Sequence, residues 1–480
     1  ITYYKGMAVL EMIEAWLGED VFRQGVNAHI ARHAWGNATA QELIEEFSRA
    51  AGRHVAPTFS SFLDQVGVPV ISGAVEWGGA PEVALEPRPY QPLGSPEGAR
   101  ERAWQVPICA AWADNEPRRR ECRLLDEPRE TMPLGESGCP GWVLLNDGMR
   151  GYYRLAVDRG EAQALLEGGG LSPAERLGLA SDLQALVASG DLPAGAAFQL
   201  VEVLARDVHP DVVGAAVDLL DSLESVVPDA VMGEYAAFTR RVFGPRAREL
   251  GWAAREGEDG GIVLLRPRVL RVVGVAGGDE ELGGEAVALA REWLQGDAAP
   301  DPDVLDAILA VAARHADRGL FQTMAETARE EPDRQKRSRV LGALGEVRDP
   351  VLAREALELF LEEGVDPREA FGLAGRLSRG RETRALLWAF LEENWEPVTE
   401  RLPRSAVAYL PYMARRTCEA GRRKELEAFL GPRLAEVDGG PRSLDQALER
   451  VDQCVARRGA QQDSAVEFLR REASGPADSD

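Results

Sequence analysis

The sequence contains very little lysine. Of its 55 basic residues, only Lys5, Lys336 and Lys424 are lysines, and the others are arginines. The net charge is −24, and no basic stripe of the kind that a phosphate backbone requires runs along the chain. This balance argues against nucleic-acid binding. Scarce lysine together with abundant alanine and glycine suggests a GC-rich bacterial coding sequence.

Long apolar runs are missing as well. No stretch approaches the roughly 20 apolar residues that span a bilayer, so we expect a soluble chain without a membrane segment. Cytoplasm is compatible with this expectation. However, the first residue is Ile1 rather than methionine, and we expect coding sequence upstream, where any signal peptide would lie. The compartment therefore stays open.

Cysteine is sparse, and its spacing is uninformative. The five cysteines are Cys109, Cys122, Cys139, Cys418 and Cys454. Their number is odd, and they include no Cys-x-x-Cys pair of the kind found in structural zinc sites. The sequence therefore predicts free thiols rather than a disulfide framework.

Familiar catalytic motifs are also lacking. No histidine is followed by glutamate, so the His-Glu-x-x-His zinc motif does not occur, and neither a phosphate-binding loop nor a Gly-x-Ser-x-Gly elbow is present. His29 and His33 share one helix face and could bind zinc. However, Ile30 stands where the motif has its glutamate, and no third ligand is evident, so we interpret them as two solvated surface histidines.

Three regions with different residue patterns follow one another along the chain. The length of the chain suggests about three domains. Residues 1–66 have the pattern of short helices. Residues 67–158 hold short apolar runs broken by proline and glycine, which predict a small β-sandwich. Residues 159–472 form amphipathic segments with short breaks, which predict a HEAT- or armadillo-like α-solenoid, and residues 473–480 have the composition of a disordered tail. The predicted fold class is mainly α with a small β domain.

Local signals place the first helices. Apolar residues recur at helical spacing before Gly18, which can end the first helix. Asp20 is expected to cap the second helix. Thr39 and Glu42 have the spacing of a capping box, in which each side chain accepts a hydrogen bond from the other residue's backbone amide.

Several segments carry a resemblance to a known family, in the family's own order. The segments are residues 1–10, 65–71, 104–108, 142–146, 151–158 and 380–395. The first of them, Ile-Thr-Tyr-Tyr-Lys-Gly-Met, resembles the Ile-Ser-Tyr-x-Lys-Gly-Ala segment of zinc metallo-aminopeptidases of the aminopeptidase N and puromycin-sensitive type. The whole series resembles the C-terminal part of that family, with an ERAP-like C-terminal domain.

The resemblance implies both an architecture and a site. Residues 1–66 would be the C-terminal helical portion of a thermolysin-like catalytic domain, and the solenoid would cover the peptide site. The full-length enzyme would hold one zinc ion, whose ligands would lie upstream of Ile1. By its place in the motif, Tyr3 would be the catalytic tyrosine that donates a hydrogen bond to the tetrahedral oxyanion. Without the family context, Tyr3 would be interpreted as an aromatic residue packing near a helix start.

The implied function is that of a C-terminal fragment of a zinc-dependent aminopeptidase, which hydrolyses N-terminal residues from peptide substrates. The chain lacks the zinc motif, and by itself it is expected to bind no catalytic zinc and to hydrolyse nothing. Two alternatives stay open. One is a non-catalytic homologue that acts as a helical-repeat binding scaffold, and the other is an isolated set of non-catalytic domains.

Overall fold

The chain forms two compact units, in both of which helix predominates. The computed structural model describes residues 2–77, 81–96, 102–113, 117–135 and 140–474. The first unit comprises residues 1–92 and 96–192, and the second comprises residues 93–95 and 193–480. A mainly α fold with small sheets is confirmed. The predicted domain borders and the thermolysin-like, sandwich and solenoid assignments stay predictions.

Helices open the first unit. Their bounds are α1 Thr2–Leu17, α2 Glu19–Arg32, α3 Ala40–Ala51 and α4 Ala56–Leu63. As predicted, α1 ends before Gly18, whose φ of 87° would strain any residue with a side chain. The predicted cap at Asp20 is wrong, because α2 already begins at Glu19 and Asp20 lies inside its first turn.

The predicted capping box at the start of α3 is confirmed. Thr39 Oγ1 accepts a hydrogen bond from the Glu42 amide at 3.3 Å, and Glu42 Oε2 accepts one from the Thr39 amide at 2.7 Å. Both bonds satisfy amides that would otherwise lack a partner at the helix start.

Seven strands of the first unit form two sheets within the described residues. Their bounds are β1 Pro69–Trp77, β2 Pro81–Pro89, β3 Val106–Ala113, β4 Arg119–Leu125, β5 Glu130–Pro133, β6 Trp142–Leu144 and β7 Arg154–Ala156. The strand order is β5-β2-β1-β7 in one sheet and β4-β3-β6 in the other. β7 runs parallel to β1, and the other pairs are antiparallel.

One hydrophobic core joins both sheets to the first helices. It includes Ile13 of α1, Phe47 of α3, Ile71 of β1 and Ile108 of β3, all of which are fully buried. Each such side chain contributes about 1.5–3 kcal/mol relative to leaving it in water. Continuous burial of this kind fixes α1 on the sheets and so determines where its first turn lies.

α5 Arg159–Glu167 and α6 Pro173–Ser189 complete the first unit. Both helices begin with a capping box, formed by Asp158 with Glu161 and by Ser172 with Glu175. Glu175 is buried and also accepts hydrogen bonds from Arg118 and from the Gly148 amide. This carboxylate therefore joins the loop before β4 to the start of α6.

The second unit is helical throughout its described residues. Its α-helices are α7 Ala194–Ala205, α8 Pro210–Leu223, α9 Met232–Leu250, α10 Gly260–Arg271, α11 Glu280–Gln295, α12 Pro302–Arg314, α13 Arg318–Glu330, α14 Arg334–Leu344, α15 Pro350–Glu358, α16 Pro367–Leu377, α17 Arg381–Glu393, α18 Trp395–Arg401, α19 Arg404–Val407, α20 Ala420–Leu434 and α21 Gly440–Ala473. Nothing in the described part of the chain is a helix both long and apolar enough to span a bilayer. α21 includes the first residue of the predicted tail, and residues 475–480 lie outside the described residues.

Two disulfides show that the prediction of free thiols was wrong. Cys109 pairs with Cys122 directly across β3 and β4, and Cys418 pairs with Cys454 of α21. The partners are 13 and 36 residues apart in sequence, and strand register and helix packing bring them together. Cys139, the remaining cysteine, lies outside the described residues.

Candidate functional site

Tyr3, the residue singled out from the sequence, lies in the first turn of α1. Its side chain is 92% exposed, and that of Tyr4 is 78% exposed. The core face of the helix lies elsewhere and carries Val9 and Ile13, which are buried. Tyr3 therefore does not pack as a core aromatic among the described residues, and the interpretation as a packing residue is wrong there.

Lys5 anchors this turn to a distant part of the first unit. Its Nζ donates to the backbone carbonyl oxygen of Gln65 at 2.8 Å. Gln65 in turn donates from Nε2 to the carbonyl oxygens of Ser61 and Ala103. The backbone two residues from Tyr3 is thus tied to the segment between α4 and β1 and to the approach to β3.

The Tyr3 hydroxyl makes no hydrogen bond with any described residue. A phenol can donate one hydrogen bond and accept others. The hydroxyl is therefore available to a ligand that approaches the exposed face of α1, where Met7, one turn farther along, is also exposed. One donor is not a complete active site, so any catalysis needs groups besides it.

His29 lies in α2 and His33 directly follows it, and the described residues provide no third metal ligand beside them. The rings of His29 and His33 lie 4.9 Å apart between centroids. His33 Nε2 lies 4.0 Å from Glu42 Oε1, and its side chain is only 18% exposed. Both rings are half-buried, so the prediction of solvated surface histidines is wrong. Within residues 2–474, wherever the chain is described, no group of three His, Cys, Asp or Glu could hold a metal ion.

A third candidate site, a cluster of charged side chains around a cavity, was not predicted from the sequence. A cavity in the second unit gathers arginines from residues 268–416, together with carboxylates from residues 218–382. These residues are spread over about 200 positions and several helices, so no sequence window contains the pattern. The only sequence signal is the general preference for arginine over lysine, which marks no particular position.

Comparison with known proteins identifies relatives of both units. The profile of the ERAP1-like C-terminal domain matches residues 142–453, and that of the peptidase family M1 domain matches residues 1–62. The chain is 26% identical over 478 residues to Aminopeptidase M1 of Arabidopsis thaliana, which covers 94% of this chain and 53% of that protein. It is also 26% identical over 474 residues to Aminopeptidase M1-A of Oryza sativa subsp. japonica, with coverage of 94% and 52%.

A relative from a third organism gives a similar result. The chain is 28% identical over 336 residues to Puromycin-sensitive aminopeptidase of Caenorhabditis elegans, which covers 68% of this chain and 35% of that protein. The chain spans about half the length of the curated plant relatives it matches. The similarity therefore extends over nearly the whole chain but over only part of each relative.

Proposed function

The chain belongs to the M1 aminopeptidase family and carries its ERAP1-like C-terminal domain, and from this premise we propose that it is the C-terminal part of an enzyme that removes N-terminal residues from peptides. The observation that carries the proposal is the place of Tyr3. It stands in the segment matched by the M1 profile, at the start of α1, with an exposed side chain whose hydroxyl is bonded to no described residue.

The role proposed for Tyr3 is stabilisation of developing negative charge. When a peptide carbonyl is attacked, its oxygen becomes an oxyanion, and a fixed donor aimed at that oxygen lowers the barrier. The contact between Lys5 and Gln65 holds the backbone turn that carries Tyr3. Loss of one such donor typically reduces kcat by about 10²–10³.

Zinc supplies an activated water in peptidases of this type. The described residues do not fit a zinc site, since the His29 and His33 pair gains only Glu42, at 4.0 Å from one ring. We therefore assign no residue of this chain to the metal and derive no step through it. In this proposal, the chain contributes the phenol donor, and its helical second unit contributes contacts to the peptide.

The experiment is to express the complete reading frame of the gene, with whatever precedes Ile1, and to follow peptide digestion by mass spectrometry. We expect unblocked peptides to shorten by one residue at a time from the N-terminus. N-acetylated copies of the same peptides should remain intact, because an aminopeptidase needs the free amine. A metal chelator should stop the reaction.

The opposite outcome would favour the binding scaffold. If the protein is folded by circular dichroism and leaves every peptide intact, the aminopeptidase proposal fails. Cleavage inside N-acetylated peptides would also contradict it, because the activity would then be that of an endopeptidase.

A further inference from the structure

The arginine-lined cavity of the second unit has a volume of about 640 Å³. Eight arginines and six carboxylates line it, a surplus of two positive charges. This surplus stands out in a chain whose net charge is −24. A concave site with a surplus of one sign of charge and low-dielectric walls attracts ions of the opposite sign.

Some of these arginines already have full sets of partners. Arg381 donates to Asp229 at 2.6 Å and to the Val227 carbonyl oxygen at 2.7 Å. Arg416 forms an ion pair with Asp221 at 2.6 Å. These two arginines hold the walls of the cavity together, and we do not assign them to a ligand.

Glu346 is shared by three arginines. It is 3% exposed and forms ion pairs with Arg271, with Arg348 at 3.3 Å and with Arg376 at 4.0 Å. One carboxylate neutralises one unit of charge, so this group keeps a positive excess. Arg376 lies at the distance limit of an ion pair, which leaves most of its guanidinium donors unused.

Arg314 and Arg379 are less satisfied still. Neither guanidinium has a hydrogen bond or ion pair with any residue in the described part of the chain. Arg314 is half-buried at the end of α12, where burial lowers its pKa and the charge of Arg348 lowers it further. The carboxylates of Glu382 and Glu346 offset part of this effect through space, but Arg314 still lacks a hydrogen bond to a described residue. Leaving a half-buried cation without such a bond is costly, and an anion in the cavity would reduce that cost. Arg379 is exposed, and its guanidinium is open to a ligand.

The start of α17 faces the same cavity. Its N-cap residue, Gly380, lines the cavity and provides no side-chain cap. The first amides of a helix lack intrahelical partners and carry the positive end of the helix dipole. A Cβ atom on Gly380 would lie 2.9 Å from Arg348 Nη1, so the missing side chain leaves space for that guanidinium.

From these observations we propose that the cavity is a binding site for a small anion that bears phosphoryl groups. Its contacts would be Arg314, Arg376 and Arg379, with the amides at the start of α17. Arg314 is the last residue of α12, Arg376 lies in the last turn of α16, and Arg379 follows that helix, so two separate segments of the chain present guanidinium groups to the cavity. A carboxylate presents one planar edge, whereas a phosphoryl group presents oxygens in several directions, each of which a guanidinium fork can bind. The proposal is independent of the peptidase function.

The test is isothermal titration calorimetry of inorganic pyrophosphate into the protein at fixed ionic strength, because screening weakens exposed charge interactions. We expect saturable binding of one pyrophosphate per chain. The double variant Arg314→Gln/Arg379→Gln should bind at least about tenfold more weakly, since charge-assisted hydrogen bonds are strong. The control is Arg318→Gln in α13, which removes a surface ion pair with Glu355 outside the cavity and should leave the affinity unchanged.

The melting temperature without ligand separates a lost site from a lost fold. Neither Arg314 nor Arg379 makes a side-chain hydrogen bond or ion pair with a described residue, so the double variant should melt at the same temperature as the parent protein or higher. Pyrophosphate should raise the melting temperature of the parent more than that of the variant. A double variant that melts well below the parent would make these arginines structural and would contradict the proposal.

Further titrations identify the source of the phosphoryl group. ATP binding at least as tightly as pyrophosphate would indicate a nucleotide, and weaker ATP binding would indicate a free polyphosphate. Both results support a phosphoryl site. The proposal is overturned if pyrophosphate does not saturate, if Arg318→Gln weakens binding as much as the double variant, or if citrate or an acidic peptide binds more tightly than both phosphates.

Discussion

Lys5 Nζ and the backbone carbonyl oxygen of Gln65 lie 2.8 Å apart, although 60 residues separate them in the sequence. A hydrogen bond from a charged donor is stronger than one between neutral groups. This contact holds the first turn of α1 against the segment that leads into β1. The position of Tyr3 therefore depends on a side chain two residues away.

Replacing Lys5 by methionine keeps the length of the side chain and removes the donor. We expect the free energy of unfolding to fall by about 1 kcal/mol and the amides of the first turn of α1 to exchange faster with deuterium. Hydrogen exchange with mass spectrometry measures the second effect. Lys336→Met is the matched control, because Lys336 pairs with Glu331 in the second unit. This control should leave the exchange of the first turn of α1 unchanged. Unchanged exchange at residues 2–6 in Lys5→Met would show that the contact does not order the turn.

Glu175 predicts a specific pH dependence for the first unit. Burial alone would raise its pKa, but the hydrogen bonds from Arg118 and from the amides of Ser172 and Gly148 outweigh burial and lower the pKa to about 2. The unfolded value is near 4.5. The stabilisation is therefore complete above about pH 4.5 and is lost as the pH falls from there through 2.

The variant Glu175→Gln tests this window by urea unfolding. At pH 7 it should be less stable than the parent by about 2–3 kcal/mol. This value is below the usual cost of breaking a fully buried ion pair, because Arg118 is 35% exposed. The difference should shrink as the pH falls from 4.5 towards 2. Glu161→Gln, in the exposed capping box of α5, is the control and should cost about 1 kcal/mol or less. A pH-independent difference for Glu175→Gln would contradict the charge-based account.

The disulfide between Cys418 and Cys454 closes a loop across the second unit. With a sequence separation of 36 residues, its removal should lower the free energy of unfolding by about 3–4 kcal/mol in the chain-entropy account. The measurement is urea unfolding of Cys418→Ser/Cys454→Ser beside the parent protein. A non-reducing peptide map should also show the 109–122 and 418–454 pairs as linked peptides. Alkylation of all four cysteines in the unreduced protein would contradict both disulfides.

Structural features that depend on a few neighbouring residues could be predicted from the sequence. The capping box of Thr39 and Glu42 depends on a spacing of three residues, and the end of α1 depends on a glycine. The short apolar runs of residues 67–158 predicted strands there, and strands do occupy that range, since short runs between turn signals are typical of strands. β5 was not predicted, because Met132 is the only buried residue among its four.

Features that depend on distant packing could not be predicted. Asp20 has the side chain of a good cap, yet the cap position of α2 is occupied by Gly18, two residues earlier. The partner of Cys109 depends on the register of β3 and β4, which the sequence leaves open. The arginine cavity is assembled from the ends of several helices, so its charge surplus appears only in three dimensions. Tyr3 was identified by family resemblance rather than by a local physical signal.

Whether the Tyr3 hydroxyl stabilises the transition state of peptide hydrolysis is decided by kcat of the Tyr3→Phe variant of the complete gene product. Tyr4→Phe is the matched control, because Tyr4 is the adjacent residue and is also exposed. We expect Tyr3→Phe to lower kcat by about 10²–10³ with little change in KM, and Tyr4→Phe to stay close to the parent. If Tyr3→Phe keeps kcat within about threefold of the parent, or Tyr4→Phe loses as much, then Tyr3 is not the oxyanion donor.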